Sequence, residues 1–316
     1  MSTTNNKKPV LYIIIPCYNE QEVLPITSAV FLSKIKNLVN KRKISRNSRI
    51  LYVNDGSKDK TWNIIEEMAK NSIYIEGCSL SRNRGHQNAL LAGLVEAKDR
   101  CDISVSIDCD GQDDINAIDE MIEMYSLGND IVYGVRKARD KDSFFKKNTA
   151  ELYYKMLSFF GVEVVFNHAD YRLLSSKVLN ELANYNEVNL FLRGLIPLIG
   201  FQSACVYYDR DIRAAGSTHY PLKKMFGLAI NGITGLSDKP INFIIHIGFF
   251  VSLIGLIITI AELMKNESFV QILLGTIIFI MGIQFISIGV IGIYVGKTYM
   301  ESKHRPRFII SRKTYE

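Results

Sequence analysis

The first third of the chain repeats one pattern: a short apolar run closes on a polar turn, and helical periodicity follows. The runs are Val10 to Pro16, Arg49 to Val53, Ile75 to Leu80 and Asp102 to Ile107. Val10 to Pro16 is apolar almost throughout, as expected of a parallel strand covered on both faces. Apolar residues then recur at helical spacing at Val23, Leu24, Ile26 and Val30, at Trp62, Ile64, Ile65 and Met68, and at Leu90, Leu91, Leu94 and Val95. Such alternation dictates an α/β domain with a largely parallel sheet and helices on both faces. Further on, Ala117 to Met124 and Thr149 to Phe160 read as helices, and Asp130 to Tyr133 and Phe201 to Tyr208 as strands. No GxGxxG follows the first strand and no GxxxxGK[ST] occurs, so neither dinucleotide-binding fingerprint nor P-loop is present.

Open α/β sheets bind ligands outside the carboxyl ends of their strands. The fourth run ends in Asp108-Cys109-Asp110-Gly111-Gln112-Asp113-Asp114. On continuing strand geometry Asp108 and Asp110 share one side of the backbone, with Cys109 turned away. Two such carboxylates repel unless a cation intervenes, and a hard divalent metal shared with phosphate oxygens suits a diphosphate substrate. An acidic turn after a strand is the plainer alternative. After the second run, Asp55 either accepts hydrogen bonds from a nucleoside or fixes its own turn, where Gly56 relieves strain. Arg136 opens a basic stretch with Lys137, Arg139, Lys141, Lys146 and Lys147, which suits a phosphate or a solvated loop equally. Asp170 and Arg172 flank Tyr171, as a site or as a buried ion pair. Glu187, Asn189 and Arg193 sit amid leucines between Asn184 and Leu198.

Net charge is +6, from 38 Lys and Arg against 32 Asp and Glu. This mild excess fits an anionic membrane or small anions, and without a basic, aromatic-interleaved stripe it does not indicate nucleic-acid binding. The five cysteines have no CxxC spacing, which argues against a disulfide framework or zinc site. The polar amino terminus lacks a signal-peptide layout. Two segments, about 240–261 and 269–296, contain no Asp, Glu, Lys or Arg. Each is long enough to cross a bilayer, and together they predict a two-helix transmembrane hairpin. Lys223, Lys224, Lys239, Lys297, Lys303, Arg305 and Arg307 flank it, which places both termini and the large domain in the cytoplasm. The division expected is therefore a cytoplasmic catalytic domain (1–220), a juxtamembrane interfacial helical segment (221–239), the two spans (240–298) and a basic tail (299–316).

In order along the chain stand Ile15-Pro16-Cys17-Tyr18-Asn19-Glu20, Val53-Asn54-Asp55-Gly56-Ser57, Ser81-Arg82-Asn83-Arg84-Gly85, Asp108-Cys109-Asp110-Gly111-Gln112-Asp113, Asp170-Tyr171-Arg172 and Arg213-Ala214-Ala215-Gly216-Ser217. Gly289-Val290-Ile291-Gly292-Ile293-Tyr294, Tyr299-Met300-Glu301 and Arg305-Pro306 follow. This succession resembles the membrane-bound family 2 glycosyltransferases, which move a sugar from a nucleotide to a polyprenyl phosphate and include bactoprenol glucosyltransferases and dolichol-phosphate mannose synthases. The resemblance implies a GT-A fold. It assigns Pro16, Tyr18, Glu20, Asp55 and Asp108 to the nucleotide and makes Asp108 and Asp110 a DxD element for Mg²⁺ or Mn²⁺. Gln112, Asp170 and Arg172 fall near donor sugar and acceptor, Arg136, Lys146, Lys147 and Arg213 on phosphates, and Asp110, Asp170 and Arg213 become the catalytic set. His219 stands where relatives carry lysine.

The activity so implied is inverting transfer of a hexose or N-acetylhexosamine, from UDP-glucose or UDP-N-acetylglucosamine, to polyprenyl (undecaprenyl) phosphate for cell-surface glycan modification. GDP-mannose is the alternative donor, and a non-catalytic membrane-anchored interaction module is the alternative of another class. The partners implied are a nucleotide sugar, a polyprenyl phosphate, membrane lipid and a second copy of the chain, with the protein in the inner membrane. A phosphate whose second pKa lies near 6 is already ionised, so the acceptor needs little base assistance. Asp170 then either orients a sugar hydroxyl or acts as base.

Overall fold

A computed structural model describes residues 8–137, 159–160, 168–187, 190–209, 233–234, 237, 239–263 and 269–316. The strands are β1 (Leu11–Cys17), β2 (Arg49–Asn54), β3 (Ile75–Leu80), β4 (Ile103–Ser106), β5 (Ile131–Arg136), β6 (His168–Ser175), β7 (Ser203–Tyr208) and β8 (Ile310–Lys313). The helices are α1 (Leu24–Asn40), α2 (Thr61–Asn71), α3 (His86–Ala97), α4 (Ala117–Ser126), α5 (Ser176–Asn184), α6 (Leu192–Leu198), α7 (Lys239–Leu263) and α8 (Phe269–Ser302). Two compact units divide the described residues: the eight strands with α1 to α6 form the first, and α7 and α8 belong to the second.

The strands form one sheet in the order β7-β5-β6-β4-β1-β2-β3-β8. β1 runs parallel to β2 and β4, and β2 parallel to β3, as the alternating pattern predicts. β6 runs antiparallel between β4 and β5, and β8 pairs antiparallel with β3. Because successive strand residues point to opposite faces, β1 feeds two cores. Leu11, Ile13 and Ile15 pack with Phe31, Trp62 and Met121 on one face, whereas Tyr12 and Ile14 pack with Leu91, Leu94 and Leu195 on the other. Burying both faces explains why these strands read as continuous apolar runs.

Local sequence fixes the ends of the elements that carry the loops. Pro25 occupies the first turn of α1, where its missing N–H costs nothing. Ser175 caps α5 by accepting from the Val178 amide at 3.4 Å. Asp119 and Glu120 lie in the first turn of α4, where the helix dipole favours negative charge. Four cysteines are buried, Cys205 on β7 is exposed, and all five are free.

The α/β part of the expected fold is present, but among the described residues the expected two-helix transmembrane hairpin is not. Among the described residues one helical stretch, Ile283–Ser302, is long and apolar enough to cross a membrane, with mean hydropathy 1.3 and none of it buried. An uncharged run limits what a helix can bury without fixing how many helices cross, and here the qualifying stretch continues beyond the uncharged segment into Lys297. With one such stretch, the charged flanks no longer place both termini on one side, and the two-span inner-membrane localisation falls with the hairpin.

Candidate active site

The carboxyl ends of β1, β2 and β3 are joined by neutral hydrogen bonds. The Asn19 amide donates to Ser57 Oγ at 2.9 Å and the Lys58 amide to Asn19 Oδ1 at 3.0 Å. Asn19 takes the left-handed conformation, φ +54°, which asparagine tolerates better than most residues. The Glu20 amide donates to Thr61 Oγ1 at 2.8 Å, and Asn54 Nδ2 to Ser79 Oγ at 2.8 Å. Pro16 is buried within β1, Tyr18 is exposed just beyond it, and Glu20 is half-buried. These residues and Asp55 thus lie along one rim.

Asp55 is 2% exposed, and its carboxylate is already engaged. Oδ1 accepts from the Arg84 amide at 2.7 Å and Oδ2 from the Gly85 amide at 2.9 Å. Burial raises its pKa, while these two amides pull the other way. The carboxylate therefore holds the loop that leads into α3. Gly56 makes this possible: it sits at φ +61°, and a Cβ there would come within 2.5 Å of the Arg82 backbone.

Around the ends of β4, β5 and β6 the groups are charged. Asp108 Oδ1 lies 3.5 Å from His86 Nε2, and the same nitrogen lies 3.6 Å from Asp170 Oδ2. Burial raises the Asp108 pKa; His86 opposes this, and Asp113, Asp170 and Asp110 add to the rise. Asp110 is buried and accepts from the Gln112 amide at 3.1 Å. Asp113 accepts from the Tyr208 hydroxyl at 2.6 Å and from Arg136 Nη2 at 3.2 Å.

Asp170 is the hub. Arg172, 1% exposed, donates to it from the same strand, and Arg193 donates through Nε at 3.2 Å and Nη2 at 3.0 Å. Burial alone would raise the Asp170 pKa, but Arg193, Arg172 and His86 hold it well below the usual carboxylate range. An acid stabilised so strongly as an anion is a weak proton acceptor.

The structure thus gathers Asp108, Asp170, Arg172 and Arg193 from the residues named in the sequence, and adds His86. It sets Asp55 on the α3 loop and Arg136 on Asp113. Lys146, Lys147, Arg213, His219 and the 149–158 part of the expected helix lie outside the described residues. His86 directly follows the Ser81 to Gly85 segment, and that adjacency was the available signal for it. Arg193 stood out only as a charge amid leucines, and nothing local tied it to Asp170, because only folding brings the two together.

Among the described residues no group of three or more His, Cys, Asp and Glu is placed to hold a metal. The acids nevertheless suit a partly protein-held cation. Arg172 and Arg193 compensate Asp170, and Arg136 compensates Asp113, whereas Asp108 faces His86 and neighbouring carboxylates. Mg²⁺ characteristically takes one or two carboxylates and completes its shell with water and substrate phosphates.

Comparisons with known proteins identify the family. Residues 12–183 match the glycosyl transferase family 2 model. The chain is 43% identical over 319 residues to the uncharacterized glycosyltransferase YkoT of Bacillus subtilis, covering 98% of this chain and 93% of that one. It is 34% identical over 308 residues to the bactoprenol glucosyl transferase of Shigella phage SfV, covering 95% and 98%. The chain belongs to glycosyl transferase family 2. Within it, the chain is a nucleotide-sugar-dependent glycosyltransferase related to the bactoprenol and polyprenyl-phosphate sugar transferases.

Proposed function

We propose that the protein transfers a sugar from a nucleotide sugar to a polyprenyl phosphate with inversion at the anomeric carbon. The observation that carries this reading is the juxtaposition of Asp108 with the Asp170–Arg172–Arg193 network at the carboxyl edge of the sheet. Likeness to bactoprenol glucosyl transferases over nearly the whole chain supports the lipid acceptor and favours a glucose donor. UDP-glucose leads, UDP-N-acetylglucosamine is next, and GDP-mannose is third.

In this mechanism Asp108 and Asp110 would hold Mg²⁺ or Mn²⁺. When bound, the ion neutralises charge on the diphosphate as it leaves. The stitched rim of Pro16, Tyr18 and Glu20 receives the nucleoside, with Asp55 keeping the Arg84–Gly85 loop in place. Asp170 orients a sugar hydroxyl, and its low basicity costs nothing because the acceptor phosphate is already anionic. Catalysis is then largely placement: acceptor oxygen behind the anomeric carbon, leaving diphosphate in front. Arg136, with Lys146, Lys147 and Arg213, would supply further positive charge. The exposed apolar stretch Ile283–Ser302 supports contact with the lipid in which such an acceptor is dissolved.

The test uses purified full-length protein, undecaprenyl phosphate in detergent, Mg²⁺ or Mn²⁺, and each of the three sugar nucleotides. A lipid product heavier by one hexose or N-acetylhexosamine is expected with one donor. Absence of any lipid-linked sugar with all three donors and both metals would overturn the reading.

A further inference from the structure

We propose that Arg193 is the anion-binding residue for the acceptor: in the substrate-free protein its guanidinium rests on Asp170, and it exchanges that carboxylate for the phosphate of the incoming lipid. The inference rests on the polyprenyl-phosphate reading above and assigns a residue that neither the motifs nor the family match singles out.

Arg193 differs from Arg172 and Arg136, the other guanidiniums paired with acids of the site. Arg172 has a side chain only 1% exposed and is confined within the sheet, bonded to Asp170 and to the Leu192 carbonyl at 3.4 Å. Arg136 is committed to Asp113 and the Tyr208 hydroxyl. Arg193 keeps 30% of its side chain exposed while it grips Asp170 with two N–H groups. The same two-pronged donor geometry matches two oxygens of a phosphate.

The release of Asp170 is inexpensive because Asp170 does not depend on Arg193 alone. Arg172 stays bonded to it, and His86 Nε2 stands 3.6 Å away. A carboxylate still bonded to the Arg172 guanidinium is not stranded when Arg193 turns to another anion. A phosphate is also the stronger competitor, since it brings more negative charge and more acceptor oxygens.

The backbone beneath Arg193 is fixed. The Leu192 amide donates to Gln87 Oε1 at 3.0 Å and its carbonyl accepts from Arg172. Phe191, Leu192, Leu195 and Ile196 are buried, so α6 is anchored by its apolar face while Arg193 remains at the surface. A guanidinium carried on a fixed base can change partners without reordering the chain, which lowers the entropic cost of binding.

The experiment measures binding and turnover separately in full-length wild type, Arg193→Lys and Arg193→Gln. Farnesyl phosphate, a short soluble polyprenyl phosphate, is titrated calorimetrically without donor, and KM values for undecaprenyl phosphate and for the sugar nucleotide are then determined. Arg193→Gln should weaken farnesyl phosphate and raise the acceptor KM by about 10-fold or more, with the donor KM within about 2-fold, the scale of a lost charged hydrogen bond. Arg193→Lys should recover part of the loss and keeps the test open if the Gln variant folds poorly. Unchanged farnesyl phosphate affinity in both variants overturns the proposal, as does a parallel rise in donor KM, which would mean that Arg193 only shapes Asp170. Arg193-dependent binding without sugar transfer would sink the function reading and leave the anion site; transfer with Arg193-independent binding would do the reverse.

Discussion

The two halves of the site are held in opposite ways. Around β1, β2 and β3 the loops are pinned by uncharged side chains, Ser57 on the Asn19 amide, Thr61 on the Glu20 amide, and the Asn54 side chain on the Ser79 hydroxyl. Even Asp55, the buried acid at the end of β2, accepts from two amides rather than from a cation. Around β4, β5 and β6 the contacts are ionic and drawn from distant parts of the chain: Asp170 with Arg172 and Arg193, and Asp113 with Arg136. The neutral half gains rigidity without creating a field. In the ionic half buried charges depend on one another, so removing one has a large effect.

That contrast is open to attack at several points. The largest effect is expected at Asp110: Asp110→Asn should reduce turnover by about 10²-fold or more, on the scale of losing one preorganised electrostatic group. The protein should stay folded, as checked by circular dichroism, and wild-type activity at saturating metal would remove Asp110 from the chemistry. Next comes Asp170→Asn, which leaves Arg172 buried without its counter-ion and should cost about 3–5 kcal/mol in urea unfolding. The acid side supplies a second readout. Since the folded-state pKa of Asp170 lies below its ordinary 3.8, its stabilisation is fully present above that value and drains away as the pH falls below it. The variant should show a shallower acid limb than wild type.

In the neutral half, Gly56→Ala should cost about 1–3 kcal/mol through its left-handed backbone, and more as the Arg82 backbone is pushed aside. It should also weaken nucleotide binding by displacing the Asp55-held loop, measurable by calorimetry with UDP. The smallest effect is expected far from both halves. Tyr315 donates to Glu96 at 3.1 Å and stacks under Arg100, whose Cζ is 4.2 Å from the ring centre. Tyr315→Phe keeps the stacking and loses the hydrogen bond, so about 0.5–1.5 kcal/mol of stability and no activity should disappear.

Much of the neutral half was legible in the sequence. Its strands are apolar runs closed by turn residues, and β1, β2 and β3 lie within a residue of where those runs place them. The ionic half was harder. In β6 the alternate positions Asp170 and Arg172 look like a solvent face, yet both are buried because they neutralise one another and Arg193. Tyr171 and Leu173 alone were too little to announce a strand. β8 was hidden for another reason: Ile310–Lys313 is short and basic, and the edge of β3 supplies the pairing that makes it a strand. Asp55 was legible as a key residue, but no local pattern could reveal that its partners are amides 29 and 30 residues away. The uncharged segments misled because hydropathy describes a helix's surroundings only in outline.

The cysteine arrangement offers a practical handle on all of this. Four thiols are sealed in the interior, and burial lifts those of Cys78 and Cys101 to about 12, far from the reactive thiolate range. Cys205 alone is exposed, three positions before Tyr208 on the strand that carries the Asp113 contact. A maleimide fluorophore added to the native protein should therefore settle at one position, on the face of β7 opposite Tyr208, turning the unmodified chain into its own single-site optical reporter.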